Sequence, residues 1–284
     1  MTRSLDVPRL ARRMTGRFGV GLCAAVSRID GSDYPCIRSE DLVAPNGFGV
    51  AVARTPLRVE ASFHPDNYSR KMLGAMSEAD EEARGCFASL ALAAGDEGQR
   101  VSVIVDGDVV DDVRSLPPAP WRRLELEVDA RIPGGKVPDD FVDELTLRVV
   151  STCLGLALAL LPIEDVGGGA FAGSAGLPEG ARVRVEVNRY ERSPANRAAC
   201  IARYGTRCLA CSFDFRAVYG ELGEGYIEVH HHTPVSAMGG SYRVDPVRDL
   251  SPVCANCHAM LHRHDPPISI AELREQLNQR RLGR

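Results

Sequence analysis

The chain has 284 residues, of which 44% are hydrophobic and 25% are charged. This composition can bury substantial cores and excludes an intrinsically disordered protein. The formal net charge of −4 argues against a uniformly basic protein that coats nucleic acid. Residues 1–165 carry 19 basic and 26 acidic side chains, whereas residues 166–284 carry 15 and 12. This uneven division of charge indicates that the two parts do different jobs.

The N-terminus shows no secretory signal, because its basic residues are not followed by a continuous apolar segment and a small-residue cleavage site. The longest apolar run, residues 149–163, is shorter than the ~20 residues that a membrane span needs. It predicts a buried helix. We therefore expect a cytoplasmic protein without membrane contact, whose nine cysteines stay reduced or bind metal.

The first half alternates strand-like and helix-like segments and predicts an α+β domain over residues 1–165. Leu124, Leu126 and Val128 alternate with acidic residues, which predicts a half-exposed strand. Asp106-Gly107 favours a hairpin turn within its strand. No catalytic motif is recognised here, and the acidic run 77–84 predicts a solvated helix face. The predicted strands cover 19–29, 47–63 (broken near Pro56), 100–110 and 121–133, and the predicted helices cover 68–95 and 138–161.

A glycine-rich segment follows the first half. Residues 166–180 are dense in glycine and other small residues, but their spacing matches neither common phosphate-binding loop. We interpret the segment as a flexible linker. The remaining residues, 181–284, form the second predicted domain.

Four of the nine cysteines stand in two C-x-x-C pairs in this second domain. One pair is Cys208 and Cys211, and the other is Cys254 and Cys257. Two such knuckles together complete a tetrahedral thiolate site of the kind that binds structural zinc. The alternatives are chance pairing or a redox dithiol, but no βαβ unit precedes either pair. The four scattered cysteines of the first domain are interpreted as small apolar side chains; they are Cys23, Cys36, Cys86 and Cys153.

The histidines require a second centre, because a zinc ion closed by four cysteines has no open position. A strand-like segment ends in His230, His231 and His232, and His258 and His262 follow four residues apart. A spacing of four places two side chains on one face of a helix. One strand histidine and two helix histidines can bind a cation and leave its other positions open, as catalysis requires.

These motifs together resemble the HNH, or ββα-metal, nucleases, and most closely the modified-DNA restriction enzymes of the McrA type. The resemblance covers residues 182–278 and includes "CLAC", "YIEVHH" and "DLSPVCANCHAMLH". It implies that His230 binds the catalytic cation together with His258 and His262, that His231 is the general base, and that Asp249 orients that base. It also implies a small zinc-stabilised nuclease domain with four cysteine ligands.

Three residues keep alternative interpretations. His232 stands where the family usually has an aliphatic residue, so the ligand and base could instead be His231 and His232. His264 is either a further ligand or a solvent-facing residue. Asp249 could simply cap a helix or a turn. Strand alternation agrees with the division of roles, because neighbouring residues on a regular strand face opposite sides.

The sequence therefore predicts a metal-dependent endonuclease that hydrolyses phosphodiester bonds of double-stranded DNA, possibly as a homodimer. The catalytic cation could be Mg²⁺, Mn²⁺, Ni²⁺ or Zn²⁺. We expect residues 1–165 to restrict the nuclease to modified DNA, as in a restriction or defence enzyme. The alternatives are a zinc-bound nucleic-acid-binding module without activity, and a toxin or mobile-element nuclease with a protein-interaction domain. Weak candidates for reading a modified base are Phe48, Phe63, Tyr68 and Trp121.

Overall fold

The computed structural model describes residues 5–29, 32–40, 44–134, 137–161, 194–233, 244–264 and 266–282. Within these ranges the chain combines α-helices with antiparallel β-sheets, which confirms the predicted α+β class. The predicted linker, 166–180, lies outside the described residues.

A seven-stranded antiparallel sheet dominates the first half, with the strand order β1-β2-β3-β4-β7-β5-β6. The predicted alternation on β7 is confirmed from Leu124 to Val128, because Leu124, Leu126 and Val128 are buried while the acidic residues between them are half-buried. It is wrong for Asp129, which is buried and paired with Arg58 and Arg100. The break near Pro56 is also confirmed and separates β3 from β4. The strands are β1 (Leu22–Ile29), β2 (Ser32–Ser39), β3 (Phe48–Arg54), β4 (Arg58–Pro65), β5 (Gln99–Val105), β6 (Asp108–Val109) and β7 (Leu124–Arg131).

The predicted hairpin between β5 and β6 is present. Asp106 and Gly107 have φ values of 54° and 96°, and Val105 pairs with Asp108 across the turn. Two consecutive positive φ values are typical of a type I′ turn, which matches the right-handed twist of the flanking strands. Asp-Gly is a sequence that tolerates this conformation.

Four helices belong to this half: α1 (Val7–Phe18), α2 (Arg70–Ser77), α3 (Glu81–Asp96) and α4 (Asp139–Leu160). The prediction of one continuous helix over 68–95 is wrong, because α2 ends before Asp80. The Asp80 carboxylate accepts a 2.8 Å hydrogen bond from the Ala83 backbone N–H and caps α3. The acidic residues of the run 77–84 are exposed, as predicted, but they lie at the junction of α2 and α3, where the start of α3 favours negative charge through the helix dipole.

Helix α4 is the buried helix that the apolar run predicts. Its residues from Thr146 to Leu160 are buried apart from Arg148, and it packs against α3, β4 and β7. No described helix has the length and apolarity that crossing a membrane would take.

Helix α5 (Pro194–Tyr204) joins two hydrophobic cores. Ala198, Ala199 and Ala202 pack in the core that fills the space between the sheet and its helices. Cys200 and Ile201 pack instead in the smaller core of the second half. The contact with α4 is close, because a Cβ atom at Gly155 would lie 2.7 Å from the Ala202 Cβ. The sequence assigns α5 to the nuclease domain alone, whereas the structure places it in both cores.

The second half contains a two-stranded antiparallel sheet followed by a helix. Strand β8 (Glu228–His231) pairs with β9 (Leu250–Val253), and His230 lies opposite Ser251. Around this unit lie α6 (Phe215–Tyr219), a 3-10 turn (Gly220–Gly223), α7 (Ala255–Leu261) and α8 (Ile270–Leu282).

A capping box stands at the start of α8. The Glu272 carboxylate accepts a hydrogen bond of 2.8 Å from the Ser269 backbone N–H. The Ser269 hydroxyl accepts one of 3.2 Å from the Glu272 backbone N–H. These bonds fix the N-terminus of α8.

The two halves also meet at the segment that leads into β8. Gly225 has a φ of 73°, and a Cβ atom there would overlap the carbonyl group of Gly16 in α1. Glu224 forms an ion pair of 2.7 Å with Arg216 and lies 3.9 Å from Arg13 of α1. The backbone of the first half therefore lies directly against the approach to His230.

Candidate metal centres

The structure brings the four predicted cysteines of the second half together. One ligand atom from each of Cys208, Cys211, Cys254 and Cys257 lies within 4.8 Å of the others. The Sγ atoms of Cys211 and Cys254 lie 3.7 Å apart. This four-cysteine cluster could hold a metal ion.

Backbone hydrogen bonds shape the first knuckle of the four-cysteine cluster. The Cys208 carbonyl accepts a 2.9 Å bond from the Ser212 N–H, and Ser212 takes a positive φ of 64°. The Leu209 N–H donates to the Pro252 carbonyl on β9 at 2.9 Å. The Leu209 carbonyl in turn accepts a 2.9 Å bond from Nε of Arg274 on α8. The knuckle is thus held from β9 on one side and from α8 on the other.

The thiols of this cluster differ in their ionisation. Burial raises the pKa of Cys257, and the neighbouring Cys208 raises it further. Burial also raises the pKa of Cys254. Burial opposes ionisation of Cys208, but backbone hydrogen bonds from Cys254 and Cys211 more than offset it and lower the pKa of Cys208. Four thiolates cannot share this volume without a compensating cation, so metal binding must release protons.

Three histidines form a second group, the three-histidine cluster: His230 on β8, His258 on α7 and His262 at the C-terminal end of α7. One ring nitrogen from each lies within 4.8 Å of the others. The ring centroids are 4.9 to 5.3 Å apart, and each pair is nearly perpendicular. His230 is buried, His258 is half-buried and His262 is exposed, so the cluster opens toward solvent on one side.

His230 has the properties of a cation ligand. Its side chain is only 2% exposed, and its Nδ1 is buried without a hydrogen-bond partner. Burial and the neighbouring His258 and His262 lower the pKa of His230 to about 3. The ring is therefore neutral at pH 7 and offers a lone pair in a place where a buried polar atom normally has a partner. The residues fit a divalent cation.

Glu228 is a site residue that the sequence analysis misses. Its Oε2 atom lies 2.5 Å from Nδ1 of His258, across the contact between β8 and α7. The signal in the sequence is its position two residues before His230, because residues two apart on a strand share a face.

The candidate base and its orienting residue lie at the β8–β9 pair. His231 is half-buried and lies opposite Leu250 in the ladder, next to Asp249. The Asp249 Oδ2 atom accepts a 2.8 Å bond from the Asp245 N–H, so this side chain does cap a turn. Whether Asp249 also orients His231 stays a prediction.

The two alternative histidines are both exposed. His232 has its Nε2 atom 2.8 Å from the hydroxyl of Ser251, and its backbone N–H donates to the carbonyl of Asp249. His264 lies just beyond α7 and is not part of either cluster among the described residues.

The four-cysteine and three-histidine clusters share one stretch of chain. Cys254 directly follows β9 and is the N-cap of α7, His258 lies on that helix, and His262 is its C-cap. The His258 N–H donates to the Cys254 carbonyl at 2.9 Å. A metal ion that held Cys254 and Cys257 in place would therefore also hold the start of α7, the helix that positions two of the three imidazoles.

The first half supplies no described cluster of three metal ligands. Cys36, Cys86 and Cys153 are buried, as predicted for small apolar side chains, whereas Cys23 is exposed. Of the aromatic candidates, Tyr68 is exposed, and the other three are buried core residues, as expected: Phe48, Phe63 and Trp121.

The face of the sheet opposite the helices carries a cleft of about 180 Å³ over β2, β3, β4 and β7. Tyr34 and His64 line it, together with two carboxylates, Glu60 and Glu127. Burial and then Glu127 raise the pKa of Glu60.

Comparison with protein-family models, with curated proteins and with solved structures finds no match to this chain.

Proposed function

We propose that this protein is a metal-dependent DNA endonuclease of the HNH type, in which the four-cysteine cluster binds structural zinc and the three-histidine cluster binds the catalytic cation. The observation that carries the proposal is the convergence of His230, His258 and His262 from a strand and a helix. The buried, unpartnered Nδ1 of His230 supports a cation there rather than a structural role. A zinc module that only binds nucleic acid has no need for this second group.

In the proposed reaction each residue has one task. The cation, when bound by the three imidazoles, would polarise a phosphate oxygen and stabilise the charge on the leaving 3′ oxygen. His231 accepts a proton from the attacking water at an unprotonated ring nitrogen, which an imidazole can do near neutral pH. Asp249 orients that ring. The expected products carry 3′-hydroxyl and 5′-phosphate ends.

The open side of the three-histidine cluster supports a substrate role. His262 is exposed at its rim, and Arg263 and His264 follow it on the surface. Positively charged or neutral hydrogen-bond donors at this rim suit a phosphate group. The sheet cleft lined by Glu60 and Glu127 does not, because its carboxylates repel a phosphate. DNA would therefore approach the cluster from the C-terminal end of α7.

We further propose that the first half restricts cleavage to modified DNA. An HNH nuclease domain contacts mostly the DNA backbone, so an unrestricted one would damage its own cell. The sheet cleft supports recognition of a local feature, because Glu60 and Glu127 disfavour a phosphate but can accept hydrogen bonds from an exocyclic amino group of a base. Cytosine and its modified forms carry such an amino group. Reading it in this cleft would require the base to leave the stack.

Incubation of the full-length, zinc-loaded protein with plasmid DNA and Mg²⁺, Mn²⁺, Ni²⁺ or added Zn²⁺ tests the nuclease proposal. We expect cleavage with more than one cation, since three imidazoles also suit Mn²⁺, Ni²⁺ and Zn²⁺. His262→Ala, which removes a cluster ligand at the surface, is the matched control. If the protein binds DNA but cleaves it with none of these cations, the nuclease proposal is refuted, and the alternative of a zinc-bound nucleic-acid-binding module without activity is favoured.

The specificity proposal has its own test. Binding of the full-length protein is measured on matched duplexes that contain cytosine, methylcytosine, hydroxymethylcytosine or a phosphorothioate linkage. We expect the protein to prefer one modification, and we expect Glu60→Gln to reduce that preference. Cation binding at the three-histidine cluster should stay unchanged in this variant. Equal, salt-sensitive binding to all duplexes would favour an interaction domain.

A further inference from the structure

The contact between Glu228 and His258 points to a role for a carboxylate that no motif assigns. Glu228 lies on β8 two residues before His230, and α7 packs against β8. Its Oε2 atom is 2.5 Å from Nδ1 of His258. The two side chains are only 28% and 15% exposed, so neighbouring groups hold both in place.

The chemistry of this pair defines the protonation of the His258 ring. An ionised carboxylate can only accept hydrogen bonds, so Nδ1 of His258 must be the donor. In the neutral ring Nε2 is then the atom with the free lone pair. An imidazole without this partner can place its proton on either nitrogen, and only one of those tautomers offers Nε2 to a cation.

The other two rings of the three-histidine cluster are held differently. His230 is fixed by burial in β8, and its Nδ1 has no hydrogen-bond partner. His262 stands at the end of α7, is exposed, and has no side-chain hydrogen bond among the described residues. Of the three, His258 is thus the ring whose orientation is set by an anionic partner.

Glu228 also changes the charge of the cluster. Three neutral imidazoles bring no negative charge to a divalent cation. A carboxylate that is hydrogen-bonded to one of these imidazoles makes that ring a stronger electron-pair donor to the cation. Such an outer carboxylate changes metal affinity by about 10- to 100-fold in known metal sites.

We propose that Glu228 is a positioning residue of the three-histidine cluster, and that its carboxylate holds His258 in the Nδ1–H tautomer that presents Nε2 to the cation. This inference rests on the proposed cation site, but not on nuclease activity. Glu228 itself does not bind the cation.

The test uses the full-length protein with zinc already bound at the four-cysteine cluster. Nitrogen-15 NMR of the cation-free three-histidine cluster reports the His258 tautomer, and Co²⁺ absorption titration reports affinity. The variants are Glu228→Gln and Glu228→Ala. The control is Glu221→Gln, because Glu221 is an exposed carboxylate in the neighbouring 3-10 turn.

We expect the Nδ1–H tautomer in the natural protein and in Glu228→Gln, because the amide oxygen still accepts the bond. Glu228→Ala should populate both tautomers and weaken Co²⁺ binding about 10- to 100-fold. Glu228→Gln should show a smaller loss, from charge alone, and the control should show none. If Glu228→Ala is unable to fold, zinc content and circular dichroism will show it. In that case the His258 tautomer of the natural protein and the Co²⁺ affinity of Glu228→Gln still test the role of Glu228.

Two results would overturn the role of Glu228: an Nε2–H tautomer in the natural protein, or unchanged Co²⁺ affinity in both folded variants. Neither result depends on DNA cleavage. A protein that shows the expected tautomer and affinities but cleaves no DNA would refute the nuclease proposal and leave the role of Glu228 intact. DNA cleavage together with unchanged Co²⁺ affinity in both folded variants would refute the role of Glu228 and support the nuclease proposal.

Discussion

The four-cysteine and three-histidine clusters are built from neighbouring residues, yet they differ in almost every physical property. Three of the four cysteines are buried and the fourth is half-buried, whereas the histidines range from buried through half-buried to exposed. Backbone donors and Arg274 surround the cysteine knuckles, while one side of the histidine cluster faces solvent. A closed set of four ligands suits a structural ion, and an open set of three suits a reacting one. The comparison teaches that one segment, β9 with α7, can position ligands of a closed cluster and of an open one.

The sharpest way to test the closed centre is to remove one thiolate. We expect Cys208→Ser or Cys254→Ser to release one zinc ion and to unfold the second half, because a site of this kind contributes on the order of 10 kcal/mol to folding. Zinc content and thermal unfolding are measured. Cys23→Ser, which changes an exposed cysteine outside the cluster, should leave both unchanged. Native zinc content in the two cluster variants would contradict the assignment.

Removal of the proposed base should affect only the open centre. We expect His231→Ala to lower the cleavage rate about 10²- to 10⁴-fold, the usual contribution of general-base catalysis. Zinc content, cation affinity and DNA affinity should stay near those of the natural protein. His232→Ala is the matched control, since its ring is bonded to Ser251. If His232→Ala loses the activity and His231→Ala keeps it, the base is His232.

Removal of the exposed ligand should weaken the open centre without damaging the closed one. We expect His262→Ala to lower Co²⁺ affinity at the histidine cluster by at least about tenfold, since one of three imidazole ligands is lost. The thermal stability of the zinc-loaded protein should change little, because His262 is exposed. His264→Ala should change neither quantity. Equal Co²⁺ affinity in His262→Ala and His264→Ala would show that His262 is not a ligand of the cation.

The smallest effect concerns the support of the first knuckle. Arg274 donates from Nε and Nη2 to the Leu209 carbonyl at 2.9 and 2.5 Å. We expect Arg274→Ala to lower the free energy of unfolding by about 1 kcal/mol, a typical value for a hydrogen bond, and to leave the affinity of the histidine cluster unchanged. Arg280→Ala on the same helix is the control. A change in histidine-cluster affinity would show that the two centres are less separate than their burial indicates.

Local patterns made the ligands of both clusters predictable. C-x-x-C pairs and histidines four residues apart are short-range features, and the structure brings these seven residues into two groups as the sequence predicts. The alternation of β7 and the turn at Asp106-Gly107 were predictable for the same reason, because a strand period and a turn conformation depend on adjacent residues.

Contacts between distant residues were not predictable. The sequence places Glu228 on the same strand face as His230, but it does not show that this carboxylate meets Nδ1 of His258, which depends on how β8 packs on α7. The break before α3 is a local feature that was missed: Asp80 followed by Glu81 and Glu82 is a helix-start pattern, but helix-forming residues on both sides favoured one continuous helix. The double packing of α5 is also a long-range result, since small residues such as Ala198 and Ala202 carry little information about which surface they meet.

Helix α5 has a thermodynamic consequence because it belongs to both hydrophobic cores. Any ligand that binds only the folded state stabilises the whole cooperative unit in which its site lies, by about 4 kcal/mol at a thousandfold excess over its dissociation constant. An ion at the four-cysteine cluster would therefore slow amide hydrogen exchange not only in β8 and β9 but also in the strands of the large sheet. Metal supply and the stability of the large sheet would then be linked, so a cell that deprives the protein of the proposed zinc ion would weaken the sheet together with the three-histidine cluster.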